Sequence, residues 1–205
     1  FDGSCNHLSA GPTDGSQAQY KGVDGDVTVL KRTAAGTDAV VSNWATRCND
    51  ANGTKVTAGG SATTWAGNSR ENRLTPFAND PVSDPTAEAL FIRDDETGEV
   101  WSPTLGPVRR TPTSRLLIRH SAGLTRFLQV AHGVRQELDV FVDASDPVKL
   151  SRLVLTNEGR LPRRLSVIAY NEWILGPPRQ GQALHVVTEK DTATGAILAR
   201  TPYNP

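Results

Sequence analysis

The sequence has little cysteine, no net charge and no long apolar run, and each shortage excludes a class of protein. Its two cysteines, Cys5 and Cys48, stand outside any CxxC or Cys/His spacing, so they predict no metal site, and spacing does not decide whether they pair. Twenty-two basic residues balance 22 acidic ones, which argues against a general nucleic-acid binder. No apolar run approaches the roughly 20 residues of a membrane-spanning helix.

Helical periodicity is also missing, and short β-branched runs between turn residues take its place. Residues 89–93 and 99–101 flank a Gly-containing polar turn, as do residues 185–189 and 196–199, so each pair predicts a β-hairpin. Further strands are predicted at residues 27–30, 40–41, 116–120, 125–130, 148–155 and 165–170. Strands at this spacing predict an all-β, antiparallel sandwich or barrel, and the length favours one domain over residues 1–205.

Residues 134–142 give the clearest strand pattern. Val134, Leu138, Val140 and Val142 share one face at a period of two, while Arg135, Glu137 and Asp139 share the other. We therefore expect the valines and the leucine to face the core. The three charged residues should face outward or pair with charged neighbours.

Residues 65–85 form a Pro-bounded polar segment that is predicted to be a long loop. Planar polar groups that match hydroxyl pairs, beside an aromatic face, are suited to sugars, and arginine is also suited to phosphate. A hydrogen-bonded structural loop without a ligand explains the same composition. The candidate substrate-binding residues are Trp65, Asn68, Arg70, Glu71, Asn72 and Arg73.

Catalytic signatures are weaker. Glu71, Asp80 and Glu172 could supply a glycosidase carboxylate pair, but each is better interpreted as an ion-pair partner of arginine. Trp101 and Trp173 lie beside predicted strands and are interpreted as packing residues. The sequence therefore predicts no catalytic residue, no metal and no cofactor.

The polar segment also resembles a known family. Residues 65–76 and 79–85 look like the β-sandwich domain of cyclic β-1,2-glucan synthases. These large enzymes carry a region that is similar to the family 94 glycoside phosphorylases. The resemblance covers residues 65–205, whereas residues 1–62 match only faintly, and Phe77 stands where a tryptophan is expected. Supporting stretches are residues 93–103, 135–138, 146–149, 172–176 and 199–205.

The resemblance implies an all-β, antiparallel two-sheet β super-sandwich that precedes an (α/α) barrel carrying the general acid. The chain would then be a non-catalytic glucan-binding scaffold that lends Arg70, Glu71, Asn72 and Arg73 to the barrel's active site. Implied partners are β-1,2-glucan or another β-glucan oligosaccharide, phosphate, the barrel and a second subunit. A purely structural packing and dimerisation domain is the alternative, and an autonomous glycosidase is a weaker one.

The expected location is the cytoplasm, including the cytoplasmic part of an inner-membrane protein. The chain begins at Phe1 and shows no secretory signal, so we expect it to start within a longer sequence or to be processed. Any membrane anchor of the parent would then lie outside these residues.

Overall fold

The structure is a computed structural model that describes most of the chain. The described residues are 17–21, 27–32, 38–46, 53–57, 59–77, 85–108, 116–121, 123–143, 146–177 and 181–203, with backbone alone over 17–46. Cys5, Cys48 and Asp80 lie outside these ranges, so the question of a disulfide and the role of Asp80 are not addressed by it.

Fourteen strands make up the described fold. They are β1 Gln17–Lys21, β2 Val27–Arg32, β3 Asp38–Thr46, β4 Gly53–Val56, β5 Ala62–Trp65, β6 Glu88–Asp94, β7 Val100–Trp101, β8 Leu116–Ser121, β9 Leu124–Ala131, β10 Val134–Val142, β11 Lys149–Asn157, β12 Leu165–Asn171, β13 Val187–Lys190 and β14 Ile197–Arg200. A 3-10 turn, Gln182–His185, is the one helical element among the described residues, and no helix there is long and apolar enough to cross a membrane. The predicted all-β class is confirmed. Strands β1, β4 and β5 were not predicted.

The strands form antiparallel sheets in the orders β1-β2-β3-β4-β5, β11-β10-β9-β8, β12-β6-β7 and β13-β14. Both predicted hairpins are confirmed, as β6–β7 and β13–β14, although His185 belongs to the 3-10 turn rather than to β13.

The four-stranded sheet supplies one layer of the core. Val56 of β4 and Ala62 of β5 pack with a cluster on this sheet that contains Phe127, Leu138 and Val140. Further along the same face of β10, Val134 packs against Ile92 of β6 and Trp101 of β7. The five-stranded and the three-stranded sheets therefore both pack on the four-stranded sheet, with β5 next to β6. The interpretation of Trp101 as a packing residue agrees with its burial in this core.

Strand β10 follows the predicted alternation. Leu138 and Val140 are buried in the core, whereas Arg135 on the opposite face is exposed. Asp139 is also buried, because Arg126 on β9 and Arg152 on β11 lie directly across from it on the two neighbouring strands. The hydrogen bond from Arg126 lowers the pKa of the Asp139 carboxyl, so this carboxylate stays charged on the outer face of the sheet.

Arg163 clamps one end of the sandwich. Its guanidinium donates to Asp94 at the end of β6 and to the backbone carbonyl of His132 in the β9–β10 turn. The Asp94 carboxylate also accepts hydrogen bonds from the backbone N–H groups of Glu96 and Thr97. Together these partners, Arg163 first, lower the pKa of Asp94 to about 2.

Candidate functional site

The candidate site is the polar loop, residues 66–77, which leaves β5 and turns sharply at its tip. The Asn68 Oδ1 atom accepts hydrogen bonds from the backbone N–H groups of Arg70, at 2.8 Å, and Glu71, at 3.0 Å. The Asn72 N–H donates to the Asn68 carbonyl at 3.0 Å, and Gly67 has a positive φ of 72° that a side chain would disfavour. Asn68 therefore shapes the tip through its own side chain, as asparagine does in tight turns.

Arg70 and Glu71 project from this tip into solvent. Their side chains are 87% and 60% exposed, and the Arg70 Nε atom lies 3.5 Å from the Glu71 Oε1 atom. An ion pair with this exposure contributes little to stability, because water screens it. Both charged groups can therefore exchange their mutual contact for a hydrogen bond to a ligand.

Arg73 has a different environment. Its Nε atom donates to the backbone carbonyl of Ser69 at 2.8 Å, and its guanidinium lies 5.7 Å from the centre of the Phe77 ring. The carbonyl and the ring hold Arg73 against the loop itself, in part by a cation–π contact. Glu71, interpreted from the sequence as an ion-pair partner of an arginine, pairs with Arg70 rather than with Arg73, and Asp80 lies outside the described residues.

Trp65 and Asn72 lie at the base of the loop. Trp65 is the last residue of β5, and its half-buried ring lies over Gly53, where a Cβ atom would come within 2.4 Å of the ring. The carbonyl of Asn72 accepts a hydrogen bond from the Ala66 N–H at 3.1 Å. The structure thus brings all six candidate residues into one loop and its base, with Arg70 and Glu71 at the exposed end.

Residues 174–176 form hydrogen bonds with the base of the polar loop. The Gly176 N–H donates to the Arg73 carbonyl at 2.8 Å, and the Ile174 N–H donates to the Leu74 carbonyl at 3.0 Å. Ile174 itself is buried. Two segments about 100 residues apart in the sequence, both singled out by the family resemblance, therefore lie side by side and brace each other.

The C-terminal end of the loop is tied to the core by an anchor made of Thr64, Thr75, Glu88 and Lys149. The hydroxyls of Thr64 and Thr75 each donate to the Glu88 Oε1 atom at 2.6 Å, and Lys149 Nζ bonds to Glu88 Oε2. Thr75 is fully buried, and its hydroxyl also accepts the Thr64 N–H at 2.9 Å. Every polar atom of the anchor is thus satisfied by a neighbour.

Glu88 stays ionised in this buried position. Burial by itself would raise the pKa of its carboxyl, but the charge and hydrogen bond of Lys149, together with the two threonine hydroxyls, lower the pKa overall. The anchor is therefore a charged, fully bonded support beneath the loop. No sequence pattern indicated it, because Glu88 and Lys149 are 61 residues apart.

The exposed side chains of the loop offer hydrogen-bonding groups to a ligand. Arg70 can donate two parallel hydrogen bonds to vicinal hydroxyls or to a phosphate, and Glu71 can accept from hydroxyls. Glu71 is the one carboxylate of residues 66–77, whereas glycoside hydrolysis uses two. Among the described residues, no group of three or more acidic, histidine or cysteine side chains is placed to hold a metal ion.

Comparison with known proteins agrees with this architecture. The family model of the glycosyl hydrolase 94 supersandwich domain matches residues 32–205. The cyclic beta-(1,2)-glucan synthase NdvB of Rhizobium meliloti is 36% identical over 156 residues, which cover 76% of this chain and 6% of the synthase. The solabiose phosphorylase of Paenibacillus borealis is 40% identical over 86 residues, or 42% of this chain and 11% of that enzyme.

A third relative is the N,N'-diacetylchitobiose phosphorylase of Vibrio furnissii, 26% identical over 103 residues, which cover 50% of this chain and 13% of that enzyme. The chain thus spans a small part of the length of each bacterial relative. The family match begins at residue 32, well before the region where the sequence motifs were recognisable.

Proposed function

The chain belongs to the glycosyl hydrolase 94 supersandwich family, and on that premise we propose that it is a non-catalytic, glucan-binding scaffold domain. It lends the tip of the polar loop to the active site of an adjoining (α/α) barrel. The parent protein is a cyclic β-1,2-glucan synthase or a β-1,2-oligoglucan phosphorylase. The synthase named above supports a β-glucan as the ligand. The solabiose and N,N'-diacetylchitobiose phosphorylases support a sugar substrate more generally.

One observation carries the proposal: a solvent-exposed guanidinium at the tip of a loop whose base is fixed. Arg70 is 87% exposed and has one weak carboxylate partner, while hydrogen bonds, Phe77 and the anchor hold the rest of the loop. An arginine held at this end can bind a sugar or phosphate without the cost of ordering the loop. Arg73, by contrast, positions the loop and contacts the ligand at most indirectly.

The test is substitution in the full-length enzyme, with release of glucose 1-phosphate from β-1,2-glucooligosaccharides and phosphate as the assay. Arg70→Ala should lower kcat/KM by roughly ten- to a hundredfold, the effect of losing a charged hydrogen bond to substrate, at unchanged Tm. Arg73→Ala should also lower Tm, because the hydrogen bond to the Ser69 carbonyl and the contact with the Phe77 ring are lost.

Arg135→Ala is the matched control. Arg135 is also an exposed arginine with a carboxylate partner, Glu158 at 2.7 Å, but it lies on β10, outside the loop. It should change neither kcat/KM nor Tm appreciably. If Arg70→Ala behaves like Arg135→Ala, the loop has no part in binding and the domain is a packing and dimerisation element alone.

A further inference from the structure

The tip of the polar loop presents one positive and one negative group side by side. Arg70 and Glu71 are neighbours in the sequence, both side chains are largely exposed, and the Arg70 Nε atom lies 3.5 Å from the Glu71 Oε1 atom. In the described part of the chain, neither of them has another charged partner. The tip therefore carries no net charge, although it exposes a guanidinium.

Three backbone N–H groups at the tip are already used within the loop. Those of Arg70 and Glu71 both donate to the Asn68 Oδ1 atom. That of Asn72 donates to the Asn68 carbonyl. Loops that bind phosphate often present several N–H groups to the anion as a concave nest. Because these three N–H groups have partners inside the turn, the backbone of the tip does not form such a nest.

The second arginine of the loop does not add its charge to the tip. The Arg73 Nε atom donates to the Ser69 carbonyl at 2.8 Å, and its guanidinium lies 5.7 Å from the centre of the Phe77 ring. Both contacts hold Arg73 against the loop itself. Among residues 66–77, Arg70 is therefore the one arginine that projects from the tip, and the Glu71 carboxylate lies beside it.

A phosphate and a sugar need different partners at such a pair. A phosphate dianion accepts hydrogen bonds, and the Glu71 carboxylate can only accept as well, so the two anions would repel each other. A sugar hydroxyl is uncharged, and it both donates and accepts. Two neighbouring hydroxyls can therefore accept from Arg70 and donate to Glu71 at the same time. The exposed ion pair that they would replace is weak.

We propose that Arg70 and Glu71 together bind two neighbouring hydroxyls of an uncharged glucose residue, and that Glu71 disfavours inorganic phosphate at the same place. Glu71 is then a specificity-determining residue in its own right. This inference rests on the proposed function, because it requires that the loop tip contacts the substrate.

The test is isothermal titration calorimetry of the full-length protein, with β-1,2-linked glucotriose alone and with inorganic phosphate alone. Glu71→Gln keeps the size of the side chain and removes its charge. The Kd for glucotriose should rise about fivefold, the difference between a charged and a neutral acceptor. Arg70→Ala should raise the same Kd by roughly ten- to a hundredfold. Neither variant should change the Kd for phosphate by more than about twofold, because phosphate does not contact the pair.

Glu158→Gln is the matched control. Glu158 also forms an ion pair with an exposed arginine, Arg135 at 2.7 Å, but this pair lies outside the polar loop. Its replacement should leave both Kd values unchanged. Melting curves of all three variants should resemble that of the wild type, since exposed ion pairs contribute little to stability.

Two results would overturn this inference and leave the proposed function standing. A lower phosphate Kd in Glu71→Gln, together with a higher one in Arg70→Ala, would mean that the tip binds phosphate. An unchanged glucotriose Kd in Glu71→Gln, beside a raised one in Arg70→Ala, would mean that the arginine acts without the carboxylate. If Arg70→Ala changes neither Kd, the proposed function itself is wrong and the inference falls with it.

Discussion

Removal of the Glu88 carboxylate should separate the anchor's contribution to stability from that of the loop. Glu88→Gln keeps the size of the side chain and a carbonyl oxygen for the hydroxyls of Thr64 and Thr75. It removes the charge that Lys149 needs. The Glu88 and Lys149 side chains are 12% and 16% exposed, so the lysine would be left charged, nearly buried and without its carboxylate.

The expected loss follows from that geometry. Removal of one partner from a buried ion pair destabilises a protein by about 3–5 kcal/mol, and the slight solvent access here favours the lower end, about 3 kcal/mol. For a domain of this size the corresponding fall in Tm is roughly 6–12 °C. Replacement of both partners should cost much less, because Glu88→Gln with Lys149→Met leaves no buried charge without a partner.

Urea unfolding followed by tryptophan fluorescence measures these differences on chain 1–205, which contains four tryptophans. The acid limb of the curve of stability against pH gives an independent check. The lowered pKa of Glu88 means that its contribution is complete above the unfolded-state pKa and is lost as the pH falls through the folded-state pKa. Glu88→Gln should flatten this limb. A single variant within about 0.5 kcal/mol of wild type, or a double variant as unstable as the sum of both singles, would refute the anchor.

Three further outcomes follow from the fold. Val140→Asp places an unpaired carboxylate in the core, costs several kcal/mol and should unfold the domain, as circular dichroism would show; an unchanged melting curve would mean that the β10 register is wrong. Arg163→Met removes the main cause of the low pKa of Asp94, about 2, so acid unfolding should begin at higher pH than in wild type; an identical acid profile would contradict the clamp. Burial lowers the pKa of His120 to about 4. Wild-type stability should therefore fall as the pH drops from 6.5 to 4, because the unfolded chain binds the proton at a higher pH than the folded chain does. His120→Gln should reduce this dependence of stability on pH, measured by urea unfolding at several pH values.

The sequence predicted the strands whose side chains alternate between apolar residues that face the core and polar residues that face outward. In β10 the apolar residues face the core and Asp139 lies opposite two arginines, so a period of two was visible. In β5, Thr63 and Thr64 are both buried, and their hydroxyls bond to the carbonyl of Thr75 and to Glu88. Polar residues whose partners lie 12 and 24 positions away give no local strand signal, so β5 was missed.

The candidate loop shows the same division. Its position came from composition and motif. The six candidate residues lie within nine consecutive positions, so their proximity follows from the sequence and their role in binding stays a prediction. The different environments of Arg70 and Arg73 required coordinates, because they depend on a backbone carbonyl at Ser69 and on the ring of Phe77. Lys149 was interpreted as part of a strand, since nothing near it in the sequence indicates Glu88.

The anchor also determines when the loop can become ordered during folding. The hydrogen bond from Lys149 to Thr64 closes a separation of 85 residues, and that from Lys149 to Glu88 closes one of 61. Contacts across such separations form late, after the entropy of chain closure has been offset by other contacts. During synthesis, a nascent chain that has not yet produced β11 lacks Lys149. The anchor that joins β5, the loop and β6 is therefore incomplete until β11 has been made. We therefore expect the polar loop to be among the last parts of this domain to become ordered, although its residues are made well before those of β11.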